Sequence, residues 1–175
     1  MDSHLKIISF NVGGFTTNKH TEIKHFIDNN PSTHILCIQE TKFSNKNIKL
    51  IPGYNCKVKN HILNSNVAGG LAIYIKNNIN YEYLGVNNQL KSDGSTAIEA
   101  LAIKLVIDKN RPLILVNIYS RGCDLETLNG LFNELRTVKR PYDVMFTGDF
   151  NAHHPAWGFQ KLRCRRSGGN RMVGR

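Results

Sequence analysis

The sequence predicts an α/β fold. Two strand–helix–strand units follow one another along it, and the strands of each unit end in polar side chains. The first strand also carries apolar residues at both parities, as a strand covered on both faces should. At 175 residues, 41% of them hydrophobic and 21% charged, the chain is long enough for one globular domain with a real core and too short for two.

Leu5 to Val12 reads as that first strand, closed by Gly13-Gly14, so Asn11 lies near its end. From Asn18 to Asp28 the apolar positions Ile23, Phe26 and Ile27 share one helical face, and Asn29-Asn30-Pro31 ends the helix. His34 to Gln39 is a second apolar run that delivers Gln39-Glu40-Thr41. If a helix crossover joins these strands in parallel, their C-terminal ends share one sheet edge, where α/β folds place ligands.

Pro52-Gly53 marks a turn, Tyr54 to Lys59 a short strand, and the Asn- and Ser-rich residues 60 to 68 a loop. Gly69-Gly70 leads into a strand from Leu71 to Lys76, and no Lys-Ser/Thr follows it, so close strand packing suits it better than a phosphate loop. Asn80 to Leu84 reads as a strand, followed by a polar loop through Gly94. Ala97 to Ile107 alternates from Leu101 onward, which predicts a core face and a less covered one. After Arg111-Pro112, Leu113 to Ser120 is a strand ending in Tyr119. Asp124 is an N-cap candidate for a helix whose stripe is Leu125, Leu128, Leu131, Phe132, Leu135 and Val138. Pro141 follows, and Val144 to Phe150 is a strand in which Gly148 would permit a sharp turn before Asp149 and Asn151.

Cys37, Cys56, Cys123 and Cys164 lack Cys-x-x-Cys or zinc spacing, which favours reduced thiols. No apolar run approaches a membrane span and the N-terminus lacks a signal-peptide pattern, so the expectation is an intracellular protein, nuclear or cytoplasmic, not secreted. Of the net charge of +10, six positive charges fall in residues 161 to 175, which hold no acid, leaving only +4 for residues 1 to 160. Charge thus gives modest support for a polyanionic partner. The pattern sets no oligomeric state.

Asn11 in Ile-Ser-Phe-Asn-Val, Glu40 in Ile-Gln-Glu-Thr, Gly-Gly-Leu-Ala-Ile-Tyr at 69 to 74, Tyr119 in Val-Asn-Ile-Tyr-Ser, and Gly-Asp-Phe-Asn-Ala-His at 148 to 153 occur in that order. Together they resemble the endonuclease/exonuclease/phosphatase family. The continuation His-His-Pro-Ala-Trp-Gly resembles the endonuclease domain of insect non-LTR retrotransposons. The resemblance implies a DNase I-like four-layered α/β sandwich of two mixed sheets. It implies metal-dependent hydrolysis of phosphodiester bonds in DNA, with Mg²⁺, or Mn²⁺ in its place, as cofactor. Glu40 would be the principal metal ligand with Asn11 close by, Asp149 would orient or deprotonate the attacking water, Asn151 would position the phosphate, and Tyr119 would hydrogen-bond a phosphate oxygen.

The family's closing Ser-Asp-His motif has no counterpart here, and Gly13 stands where some members carry an acid. The expectation is therefore the N-terminal part of such a domain over residues 1–158, with little or no activity. A basic, irregular or non-native tail over 159–175 would follow it. A family phosphatase acting on a small phosphorylated substrate and a non-catalytic nucleic-acid-binding remnant are the alternatives. Adjacent residues of an extended segment point opposite ways, so His153 and His154 read as a surface or DNA-facing loop rather than a transition-metal site.

Overall fold

A computed structural model describes residues 4–44, 47–63, 66–106, 112–122 and 125–151. Ile107, Arg111, Cys123, the expected cap Asp124, the His153-His154 pair, Cys164 and the tail from 159 lie outside the described residues.

The first unit is β1 (Ile7–Asn11), α1 (Thr17–Asp28) and β2 (Ile35–Gln39), with β1 and β2 parallel. Thr16 caps α1: its backbone is extended and its hydroxyl accepts the Lys19 N–H at 3.3 Å, satisfying one orphan helix donor. After β3 (Tyr54–Lys59), the expected loop at 60 to 68 contains a small antiparallel pair, β4 (Ile62–Leu63) with β5 (Asn66–Val67). An Asn- and Ser-rich composition marks the turn but does not exclude short strands beside it. Next, β6 (Leu71–Lys76) inserts antiparallel between β2 and β3, closing a mixed sheet of order β1-β2-β6-β3.

The second sheet comprises β7 (Tyr81–Leu84), β8 (Gln89–Leu90), β9 (Thr96–Leu105), β10 (Leu113–Ser120) and β11 (Asp143–Asp149), with α2 (Leu125–Leu135) between the last two. Its order is β11-β10-β9-β7, with β8 also on β9; β10 and β11 are parallel and the remaining pairs antiparallel. The polar loop expected after β7 thus contributes β8.

Period-2 alternation sorts these strands into four layers. Leu36, Ile38, Ala72 and Tyr74 face outward to Ile23 and Ile27 of α1. Ile35, Cys37, Leu71, Ile73 and Ile75 face inward, against Leu101, Ile103, Leu105 and Leu115 of the second sheet. On its other side the second sheet packs Ala100, Ala102, Ile114, Val116 and Ile118 beneath Leu131 and Leu135 of α2. β9 is therefore covered on both faces, where its alternation suggested one. Two of the outer residues that alternate with its large inner ones, Ala100 and Ala102, are small enough for α2 to pack down on them. Each fully buried Leu or Ile contributes on the order of 1.5–3 kcal/mol of transfer free energy.

Gly148 is part of β11 rather than a turn, at φ +130° and directly opposite Ile118. A Cβ there would lie 1.9 Å from the Ile118 carbonyl oxygen, so glycine is required by close approach as well as by conformation. Gly148→Ala is expected to cost about 3 kcal/mol and lower the melting temperature by roughly 6–12 °C, measured calorimetrically. An unchanged melting temperature would refute this account of the position.

Candidate active site at the shared edge of the two sheets

The inner faces of the strands become more polar towards one common edge. Along β1 the inward positions are Ile7, Ser9, Asn11; along β2, Ile35, Cys37, Gln39; along β10, Leu115, Asn117, Tyr119. Asn11 sits opposite Gln39, and Tyr119 opposite both Asp149 and Glu99. Two parallel pairs, one in each sheet, thus end at the same rim.

Asn11 joins the two halves. Its Nδ2 donates to Glu40 Oε1 at 2.9 Å and to Asp149 Oδ2 at 2.8 Å, while its Oδ1 accepts the Gly13 N–H at 2.9 Å. One amide group therefore holds carboxylates from both sheets beside each other. Asp149 Oδ1 accepts the Asn151 N–H at 3.0 Å, and Asn151 Nδ2 donates to the Ser120 carbonyl at 2.6 Å, which ties the end of β11 to the end of β10. Partial burial, then hydrogen bonding and charge from the neighbouring Glu40, hold the Tyr119 phenol above its ordinary pKa, with Arg121 pulling the other way. All five residues expected from the sequence, Asn11, Glu40, Tyr119, Asp149 and Asn151, meet at this edge.

Glu40, Lys42 and Asn151 occupy the left-handed region at φ 53°, 52° and 44°. Such conformations cost on the order of 1–3 kcal/mol each and persist only where surrounding contacts impose them. For Glu40 those contacts are backbone hydrogen bonds: Gly14 N–H to its carbonyl at 2.7 Å, and the N–H groups of Thr41 and Lys42 to the carbonyls of Gly70 and Gly69 at 3.0 and 2.8 Å. Lys42 lies 3.9 Å from Glu40, and with 44% of its side chain exposed the pair contributes little stability.

Several supporting residues went unassigned in the sequence. Gln39 Nε2 donates to Ser9 Oγ at 3.0 Å and to Asn117 Oδ1 at 2.6 Å, and Asn117 Nδ2 reaches the carbonyls of Ile38 and Ala72 at 3.1 and 3.0 Å. Glu99, 1% exposed, pairs with Arg121 at 2.7 Å. A signal for the first group was available: Asn117 interrupts an apolar run and Gln39 closes one, and a buried polar side chain requires partners. Nothing in the sequence indicated which partners. Beside Asn11, a cavity of about 330 Å³ opens between β1 and α1, walled by Phe10, Val12, Ile23 and Phe26, with Lys19 and Glu22 at its rim.

Among the described residues no three His, Cys, Asp or Glu side chains converge as a metal-binding group. The donors that do meet, two carboxylates with amides beside them, are hard oxygen ligands. They fit a cation such as Mg²⁺, which keeps several waters and needs only one or two carboxylates.

The model of the Endonuclease/Exonuclease/phosphatase family matches residues 8–172. No curated protein matches the sequence. Among solved structures, an AP endonuclease from Archaeoglobus fulgidus is similar at 21% identity and TM-score 0.56, over 88% of this chain and 63% of that one. The human Nocturnin catalytic domain with bound sulfate follows at 17%, 0.60, 85% and 64%. D. rerio TDP2 complexed with single-strand DNA product stands at 15%, 0.58, 88% and 63%. These likenesses establish the fold, and the chain spans less than two thirds of each of those structures.

The buried thiols and the phenol make stability fall on the alkaline side. Burial pushes Cys37 up to about 12 and Cys56 up to about 11, and Tyr119 is raised as well. The unfolded chain loses these protons at lower pH than the folded one, so their contribution is complete below the ordinary values and is lost as pH rises through the folded ones. Denaturant midpoints are expected to decline from about pH 9 upward, less steeply in Tyr119→Phe. A midpoint independent of pH over that range would contradict these environments.

Proposed function

The chain belongs to the endonuclease/exonuclease/phosphatase family, and on that footing we propose that it is a divalent-metal-dependent DNA endonuclease of the retrotransposon type, nicking a target strand to leave a 3′ hydroxyl for primed reverse transcription. The observation that carries this reading is the Asn11 amide, which holds Glu40 and Asp149 beside each other from opposite sheets. The DNA substrate is supported by the family, by the AP endonuclease and the DNA-complexed TDP2 among the fold relatives, and by the basic residues 161 to 175. The retrotransposon assignment is supported by His-His-Pro-Ala-Trp-Gly after Asn151-Ala152.

Glu40, with Asn11 beside it, would hold Mg²⁺ or Mn²⁺, which would supply polarisation of the phosphoryl oxygen and neutralisation of charge that grows in the transition state. Asp149 orients the attacking water and accepts its proton as the new oxygen–phosphorus bond forms and the bond to the leaving 3′ oxygen breaks, that oxygen taking a proton from solvent. Asn151 positions the phosphate. Tyr119, held protonated by its raised pKa, is a donor throughout the neutral range and hydrogen-bonds a phosphate oxygen when substrate replaces part of its contact with Glu40. Asn11 fixes the separation of the two carboxylates, so their geometry is set before substrate arrives.

Supercoiled plasmid with Mg²⁺ is expected to convert to nicked circles. Glu40→Ala should abolish that conversion and lower Mg²⁺ affinity by about tenfold or more, measured calorimetrically. Mg²⁺ binding indifferent to Glu40→Ala would sink the reading. Turnover of an inositol phosphate without nicking would favour a family phosphatase instead.

A further inference from the structure

We infer that Glu99 and Arg121 are positioning residues for Glu40, acting from the second sheet through the Gly69–Gly70 turn; the inference rests on the reading of Glu40 as the metal ligand. Glu99 is buried in β9, in register with Tyr119 of β10. Its Oε1 accepts Arg121 Nε at 3.2 Å and Nη2 at 2.7 Å, and its Oε2 accepts the Gly70 N–H at 2.8 Å. Arg121 Nη2 also donates to the Ala68 carbonyl at 3.0 Å. The ion pair therefore grips residues 68 and 70 on either side of Gly69. Gly69 has no room for a side chain: a Cβ would lie 2.4 Å from Glu99 Oε1 and 2.6 Å from Arg121 Nη2.

The gripped turn is the one that holds the Glu40 segment. Gly70 and Gly69 supply the carbonyls that take the N–H groups of Thr41 and Lys42, on the C-terminal side of the left-handed Glu40. The Arg121 guanidinium carbon also lies 5.1 Å from the centroid of the Tyr119 ring, which neighbours Glu40. The Glu40 backbone is thus anchored to one buried carboxylate in the opposite sheet. A buried ion pair gives little net stability over an apolar pair of the same shape, so a role in stability alone accounts poorly for this one. Groups that orient a metal ligand from behind are the residues whose loss weakens metal binding without unfolding the protein.

The test pairs amide hydrogen exchange of the metal-free chain with Mn²⁺ titration of wild type, Glu99→Gln and Arg121→Lys. In Glu99→Gln, the Thr41, Lys42 and Gly70 amides are expected to exchange about tenfold faster while the centres of β2 and β6 keep their protection. Mn²⁺ affinity is expected to fall by about tenfold, measured well below the melting temperature, which the uncompensated Arg121 lowers. Should Glu99→Gln fail to fold, Arg121→Lys carries the test, because it keeps the charge but cannot span Glu99 and Ala68 together. Unchanged exchange at Thr41 and Lys42, faster exchange spread equally over β2, or local loosening with wild-type Mn²⁺ affinity would each overturn the inference. Wild-type chain that binds no Mn²⁺ would defeat the metal reading, and the exchange pattern would then decide by itself whether Glu99 sets the Glu40 backbone.

Discussion

The contact between Gln39 and Asn117 is the constraint on which the arrangement depends. The space between the two sheets is otherwise filled by Ile, Leu and Cys side chains, whose packing fixes the distance between the sheets but is non-directional about their sliding. A 2.6 Å hydrogen bond from Gln39 to Asn117, with Asn117 also donating to two carbonyls of the first sheet, removes that freedom. An amide buried without partners costs about 1–3 kcal/mol, so every slipped register is penalised. Gln39 directly precedes Glu40, and Asn117 lies two residues before Tyr119 on the same face. The register that satisfies the buried amides is therefore the one that brings Tyr119 to Glu40 and Asp149 to Asn11.

Above this pair the edge of the sandwich changes character from apolar to charged within one strand residue pair. Three acidic side chains stand there, and each is met by donors: Glu40 by Asn11 and, loosely, Lys42; Asp149 by Asn11 and the Asn151 backbone; Glu99 by Arg121 and the Gly70 backbone. Carboxylates this close repel one another unless donors are interposed. The buried Glu99 is fully engaged by its neighbours, whereas Asn11 is exposed and Glu40 keeps 21% of its side chain open. The division is between a carboxylate that holds structure and two that remain accessible to a cation or a phosphate.

Strain is concentrated in the same place. Glu40, Lys42 and Asn151 take backbone conformations that non-glycine residues avoid, and Gly69, Gly70 and Gly148 stand where a side chain would collide with a neighbour. The apolar layers below supply the rigidity that holds these conformations: β2 is buried along its whole length and β9 nearly so.

The sequence by itself determined the elements and the identity of the polar residues that end them. Period-2 and helical apolar patterns are local, and they located β1, β2, β6, β10, β11 and both helices, while polar residues at strand ends pointed to Asn11, Glu40, Tyr119, Asp149 and Asn151. It missed the β4–β5 pair and β8, which are two-residue strands too short for any period to register. Only the tertiary structure decided which polar groups face one another. Asn11 and Asp149 are 138 positions apart, and Glu99 and Gly70 are 29 apart. Such contacts arise from sheet register and from the packing of one sheet on the other, and neither leaves a periodic trace in the chain. Gly148 shows the same limit: its glycine character was legible, but the oxygen of Ile118 that demands it belongs to the neighbouring strand.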